Sequence, residues 1–465
     1  MSLPTVARAA AILGAAGSVA LTLYAGRNNN LPFLMVLMGG WVFAPFFGFA
    51  LARRFSGRWS PATRAALDVV ILIITVAALA IYTRGVLRPP QSQGARVYVA
   101  VPIVSWILLL AVGVAGFLSS RRGASLALLL AVQGGQPQQS WMFGPFAKPA
   151  QVNPVITPNP AVAWEAYATF NPAAVVKDGK VFLLYRAEDA TGRQEIGGHT
   201  SRLGLAESTD GLHFTRRATP VLYPDSDAQR QNEWPGGVED PRIVESGDGT
   251  YILTYTQWNR DVPRLAVATS RDLITWTKHG PAFAKVGGGK YLRTESKSGA
   301  ILSRIDGNRI IATRVNGKYW MYFGVPDLRI ATSENLLDWT PVEDSRGQAV
   351  KVLSARPGYF DSWLVEAGPP ALLTPAGILV LYNAGSLPSR TYSAGQALFD
   401  ARDPTRLIAQ SDSAFIKPTE SYERTGQYTA GTTFVEGLVP FKGRWFLYYG
   451  TADSRIGVAV WDPSR

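Results

Sequence analysis

A turn signature repeated at a near-constant interval constrains this chain most: Ser208-Thr-Asp210-Gly-Leu-His-Phe214, Ser270-Arg-Asp272-Leu-Ile-Thr-Trp276 and, with Asn for Asp, Ser333-Glu334-Asn335-Leu-Leu-Asp-Trp339. The copies lie about 62 residues apart. Each follows an alternating apolar run, Leu203 to Glu207, Leu265 to Thr269 or Leu328 to Thr332, and further upstream stands another, such as Val181 to Tyr185 or Tyr251 to Tyr255. Strands, a polar turn and an aromatic at fixed period describe the blade of a β-propeller, a small twisted sheet that buries both faces only by packing against copies of itself. From residue 151 to 465 there is room for about five units of 40 to 65 residues. The expected fold is therefore an all-β five-bladed propeller, with residues 155 to 170 closing the ring.

Residues 1–123 belong to another class. Four apolar runs, about Ala9 to Tyr24, Leu31 to Ala52, Ala65 to Tyr82 and Val99 to Leu118, approach the ~20 residues that span a bilayer. Short Arg-rich loops separate them, which predicts an α-helical domain of four transmembrane helices, a multi-pass membrane protein with the lipid bilayer as partner. Asp68, the single acid here, is expected at headgroup level. Residues 124–150 read as a linker: a short apolar piece, Leu126 to Val132, then Gln-Gly-Gly-Gln-Pro-Gln-Gln.

The net charge of +12 does not point to nucleic acid, because residues 1–123 hold 11 Arg and one Asp and leave about +2 for the rest. Seven arginines fall on the side of the N-terminus (Arg8; Arg53, Arg54, Arg58 and Arg64; Arg121 and Arg122), against Arg27, Arg84, Arg88 and Arg96 opposite. That asymmetry puts the propeller on the cytoplasmic side. No cysteine is present, and His199, His213 and His279 lack metal-ligand spacing, so neither a metal nor another cofactor is expected. Gly287-Gly-Gly-Lys290 lacks the spacing of a phosphate loop and reads as an ordinary loop. Oligomeric state is not encoded in any feature of the sequence.

The chemical signal is Val238-Glu239-Asp240-Pro241-Arg242. Pro241, with its fixed φ and missing N–H, suits a strand entry at a pocket rim. Glu239 and partial burial would raise the Asp240 pKa toward that of a useful acid, and Arg242 would lower it; the plainer alternative is a surface Asp240–Arg242 pair. Cleaving a glycosidic bond needs such an acid together with a base for water or a phosphate site.

Asn171-Pro-Ala, Leu183 to Asp189 with Arg186 and Glu188, Ala206 to Gly211, Gly237 to Ile243, Lys297 to Ile301, Ala367-Gly-Pro-Pro370, Leu381 to Gly385 and Tyr448 to Asp453 follow the order of motifs in glycoside hydrolase family 130, which the region 165–465 resembles. The resemblance implies a five-bladed propeller and inverting cleavage of β-mannosides by phosphorylases or hydrolases, inorganic phosphate being a co-substrate for the former. It implies Asp240 as proton donor, acting through a substrate hydroxyl, and Asn171, Arg186 and Asp453 on the non-reducing sugar, with Asp189, Glu239 and Arg242 beside them. Arg186 could instead be an ordinary ion pair with Glu188 or Asp189. Two departures bear on the acceptor. Asn383 stands where the phosphorylases carry a phosphate-binding His, and Glu366 and Glu436 bring carboxylates where small or neutral residues are expected. Such carboxylates repel phosphate and suit activation of water. The expectation is a membrane-anchored inverting β-mannosidase with Glu366 or Glu436 as base. Lys297, Arg260 and Arg264 could instead support phosphorolysis, and a tethered glycan-binding propeller without catalysis is the third reading. Trp258 and Trp363 are the candidates for stacking on sugar.

Overall fold

The computed structural model describes residues 3–27, 31–56, 61–87, 97–110, 112, 141–192 and 197–464. The chain divides into two compact units, Met1–Pro137 and Gln138–Arg465.

In the first unit α1 (Leu3–Ala25), α2 (Pro32–Phe55) and α3 (Pro61–Leu87) are apolar on nearly every face, the pattern of a helix that meets hydrocarbon rather than water. Phe33, Val36, Ile12 and Val76 accordingly point outward. Of the four expected spans, these three are long and apolar enough to cross a membrane. The fourth run is described as a helix only over Val97–Leu110, shorter than a span. Most of its remainder, the linker residues up to 140 with Leu126 to Val132, and Arg58, Arg88, Arg96, Arg121 and Arg122 lie outside the described residues. Gly14 lets Phe46 approach α1, and Thr75 donates to the carbonyl of Ala10. Asp68 is not at an open interface position. It is buried and paired with Arg53 at 2.9 Å, which joins the end of α2 to the start of α3.

The second unit is all-β apart from short helical turns. Its antiparallel meanders begin with β1 (Ala168–Lys177), β2 (Lys180–Glu188), β3 (Ser201–Ser208) and β4 (Thr215–Arg216), followed by β5 (Gly237–Glu245), β6 (Tyr251–Trp258), β7 (Pro263–Ser270) and β8 (Thr277–Pro281). Three further meanders centre on the strands Lys318–Phe323, Gly377–Gly385 and Arg444–Thr451. Successive meanders touch by single parallel bridges, Ser201 to Gly237, Ile311 to Glu245 and Ser303 to Leu372. Apolar side chains of adjacent meanders interdigitate, as where Val175, Leu184 and Leu203 meet Ile243, Leu253 and Ala266.

The repeated signature turns the chain in three of the meanders through local hydrogen bonds. Ser208 Oγ accepts from the Gly211 N–H at 2.8 Å, and Asp210 Oδ1 accepts from the Leu212 and His213 N–H groups at 2.8 and 2.9 Å. Ser270 with Asp272 and Ser333 with Asn335 repeat the arrangement. The fourth residue of each turn has positive φ: Gly211 at 80°, Leu273 at 71°, Leu336 at 67°. Leucine is strained there, and burial of its side chain in the core offsets the strain.

The two ends of the β unit meet. Ala147 bridges Val460 and Ile156 bridges Ile456, while the Asn153 side chain pairs with the backbone of Val458. Phe143 packs on Trp445 and Trp461, so residues 141–150, expected as linker, form part of the β unit, and the closing segment starts earlier than 155.

Candidate active site

The first strand of successive meanders brings one polar side chain each to a common centre. In β1 the ladder slips between Phe170 and Pro172, in β5 between Glu239 and Arg242, and in the strand Phe434–Phe441 between Val435 and Gly437. The residues left out of register include Asn171, Asp240 and Glu436. A β-bulge re-aims a side chain in this way. Asn171 and Asp240 take φ of 46° and 50°, a strained conformation that clusters at functional sites. Ser298, at φ 59°, precedes the strand Ala300–Ile301, and Glu366 lies on Leu364–Ala367.

Arg186 is the hub. It lies 2.7 Å from Glu188, 2.9 Å from Glu239 and 3.2 Å from Asp240, and donates to Ser201 Oγ at 3.1 Å. Asn171 Nδ2 donates to the same Asp240 oxygen at 2.9 Å. Gln427 donates to Glu188 at 2.8 Å and to the carbonyl of Asp453 at 2.8 Å. Arg242 pairs with Glu436 at 2.9 Å and donates to the carbonyls of Asp240, Ala367 and Gly368, which stitches β5 to the strand bearing Glu366. Glu366 accepts from Ser298 Oγ and stands 3.6 Å from Lys297.

Charge and burial set the titration. Burial works to raise the Asp240 carboxyl, yet Arg186, then Lys297, Arg242 and the Asn171 amide outweigh it and hold it below its ordinary value. The expectation that Glu239 lifts Asp240 is thus corrected: burial pushes Glu239 itself up to about 7 against the pull of Arg186, with Asp240 and Glu188 adding to the rise. Burial likewise pushes Asp453 up to about 7, and Glu436 well above its usual range despite Arg242. Glu366 holds the Lys297 ammonium above its ordinary pKa.

The structure therefore brings Asn171, Arg186, Glu239, Asp240, Arg242, Lys297, Glu366, Glu436 and Asp453 into one cluster. Six other expected residues are engaged elsewhere, Arg264 with the carbonyls of Leu292 and Val262 and Trp258 with that of Gly197 among them. Asp189 accepts from Arg202 at 2.7 Å, and Arg260 donates to the carbonyl of Gly198 at 2.6 Å. Asn383 is fully buried and spends its amide on the backbone of Val435, at 2.7 and 3.0 Å, which ties two strands together rather than offering a group to phosphate. Trp363 is covered by the Arg390 guanidinium, 4.2 Å from its ring. Ser201, Ser298 and Gln427 join the site without having been expected. Glu188 was legible as a partner of Arg186, because residues two apart on a strand share a face. Among the described residues no group of acids and histidines could hold a metal ion.

Residues 150–464 match the family model Glyco_hydro_130, described as β-1,4-mannooligosaccharide phosphorylase. A 1,2-β-oligomannan phosphorylase from Thermoanaerobacter sp. (strain X514) is 31% identical over 66% of this chain and 94% of its own length. A solved glycosyl hydrolase from Bacteroides ovatus is 52% identical, with TM-score 0.69 over 70% of this chain and 96% of that one. Another, from work describing glycoside hydrolases within this family of mannoside phosphorylases that target β-1,2 mannosidic linkages in Candida mannan, is 50% identical with TM-score 0.69, over 70% and 96%. The family description and the Thermoanaerobacter relative speak for the phosphate-dependent alternative ahead of hydrolysis. Phosphorylases of this family use phosphate as co-substrate and need no cofactor. The β unit carries the family's match almost end to end, and the chain belongs to glycoside hydrolase family 130.

Proposed function

We propose that the β unit is a five-bladed propeller that cleaves β-mannosides with inversion, β-1,2 linkages foremost, and passes the mannosyl group to water. The charge balance at its centre carries this reading. Six carboxyl groups (Glu188, Glu239, Asp240, Glu366, Glu436, Asp453), of which burial raises Glu239, Glu436 and Asp453, face three cations (Arg186, Arg242, Lys297), and each cation already has a carboxyl within 4 Å. A phosphate dianion would find no unpaired cation among these three, whereas a carboxylate able to take a proton activates water. Glu366 is the proposed base, held by Ser298 Oγ; Glu436, sealed against Arg242, is its structural neighbour.

Asp240 is the proposed proton donor. It shares Arg186 with Glu239, so the two titrate as a pair, and burial keeps a proton on that pair up to about pH 7. The bound sugar decides which carboxyl holds it. A required protonated group with this pKa predicts that kcat/KM falls as pH rises through about 7, and that Glu239→Gln moves the alkaline limb; a flat profile from pH 6 to 9 would contradict the pairing. Asn171, Arg186 and Asp453 would hold the non-reducing sugar.

Phosphorolysis is the second reading, supported by the family description and the Thermoanaerobacter relative, with Lys297 as the phosphate contact. Incubation with β-1,2-mannobiose with and without inorganic phosphate separates the two. Free mannose at an unchanged rate without phosphate is the expected result, lost in Glu366→Gln; mannose 1-phosphate formed only with phosphate would establish the second reading. The three apolar helices are proposed to cross a bilayer and anchor the enzyme there.

A further inference from the structure

A groove of about 560 Å³ runs between α1 and α2. On the α1 side Ala11 and Ala15, one turn apart, leave room; on the α2 side Phe43 and Phe47 stand 44% and 54% exposed as its wall. Arg8, Arg53 and Arg54 line one end. The groove thus has an apolar slot and a cationic mouth. From Phe43 to Arg54 the helix advances ~16 Å at ~1.5 Å per residue, about half the ~30 Å hydrocarbon core of a bilayer. One leaflet's chain has that length.

The charges at the mouth are unequal. Asp68 neutralises Arg53 at 2.9 Å, whereas Arg8 and Arg54 are exposed and have no carboxylate partner among the described residues. Two uncompensated guanidinium groups above an apolar slot match a phosphate joined to hydrocarbon, since guanidinium binds phosphate oxygens in bidentate fashion.

We propose that this groove binds one anionic glycerophospholipid, its phosphate on Arg8 and Arg54 and one acyl chain lying along Ala11, Ala15, Phe43 and Phe47. The site rests on the reading that these helices cross a bilayer. Sodium carbonate extraction of membranes holding the full-length protein tests that reading by itself: extraction into the soluble fraction overturns both it and the site. For the site, the full-length protein is purified from vesicles of equal phosphatidylglycerol and phosphatidylcholine, and retained lipid is counted by native mass spectrometry. The expected preference for phosphatidylglycerol is about 30-fold, the size two arginines near an anionic headgroup would give. Arg8→Gln with Arg54→Gln should abolish the preference, and Ala15→Phe should reduce retention of either lipid with both arginines present. Mannoside cleavage by the variants checks that the chain is folded. Equal retention of the two lipids by the native protein, or a preference that survives the double substitution, overturns the proposal while leaving the membrane reading intact.

Discussion

Asp240→Asn should lower mannoside cleavage by about 10²- to 10⁴-fold, the range for losing a general acid, while mannobiose affinity measured by calorimetry changes little. Asparagine keeps the volume and one oxygen, so the contacts of Asp240 with Arg186 at 3.2 Å and Asn171 at 2.9 Å have a replacement acceptor. What it cannot do is exchange the proton that Glu239 and Asp240 share. The bulge that sets the side chain at φ 50° belongs to the backbone of β5 and survives the change, because asparagine tolerates that region as well as aspartate does. The effect should therefore appear in kcat and not in KM. A protein that binds mannobiose and turns over neither with nor without phosphate, before any substitution, would instead be a tethered glycan-binding module.

Arg242→Met should destabilise the β unit by about 3–5 kcal/mol, the cost of breaking a buried pair by removing one partner, here with three carbonyls also losing their donor, seen as an earlier urea midpoint. Arg242 and Glu436 are both fully buried at 2.9 Å, and the guanidinium also satisfies three carbonyls. Methionine fills most of the space and none of the hydrogen bonds. If Glu436 serves chiefly to balance Arg242, Arg242→Met combined with Glu436→Gln should recover part of the loss. A double substitution no better than the single one would return Glu436 to consideration as the base.

The sequence made the β unit legible because its information is local. Ser208, Asp210 and their copies satisfy their own turns within four residues, so the pattern can be read without knowing what packs where. Asp240 was legible for the same reason: Glu239, Asp240 and Pro241 occupy one bulge. The partners of Arg186 were only half visible. Glu188 lies two residues away on β2, but Glu239 and Asp240 arrive from another meander more than fifty residues on, and period-2 reasoning stops at the end of a strand. Asn383 and Asp189 misled because type and motif were right while the direction of the side chain was set by neighbours in space, Val435 and Arg202. Among the helices, hydropathy marked three that are long and apolar enough to cross a membrane, and Asp68 differed because its partner Arg53 sits on the preceding helix.

The joining of Ile156 to Ile456 and of Ala147 to Val460 bears on how the protein is made. Hairpins such as β1–β2 or β5–β6 pair residues a few positions apart and can form as each emerges from the ribosome. The clasp pairs residues about 300 positions apart. Its entropic cost grows only with the logarithm of that distance, but it must wait for Arg455–Trp461 to be synthesised. At about 5–20 residues per second the delay is on the order of 15–60 s. During that interval the core strands Val181 and Leu183 lie open where Phe446 and Val458 will cover them, so the unfinished chain is the aggregation-prone species a chaperone would have to shelter.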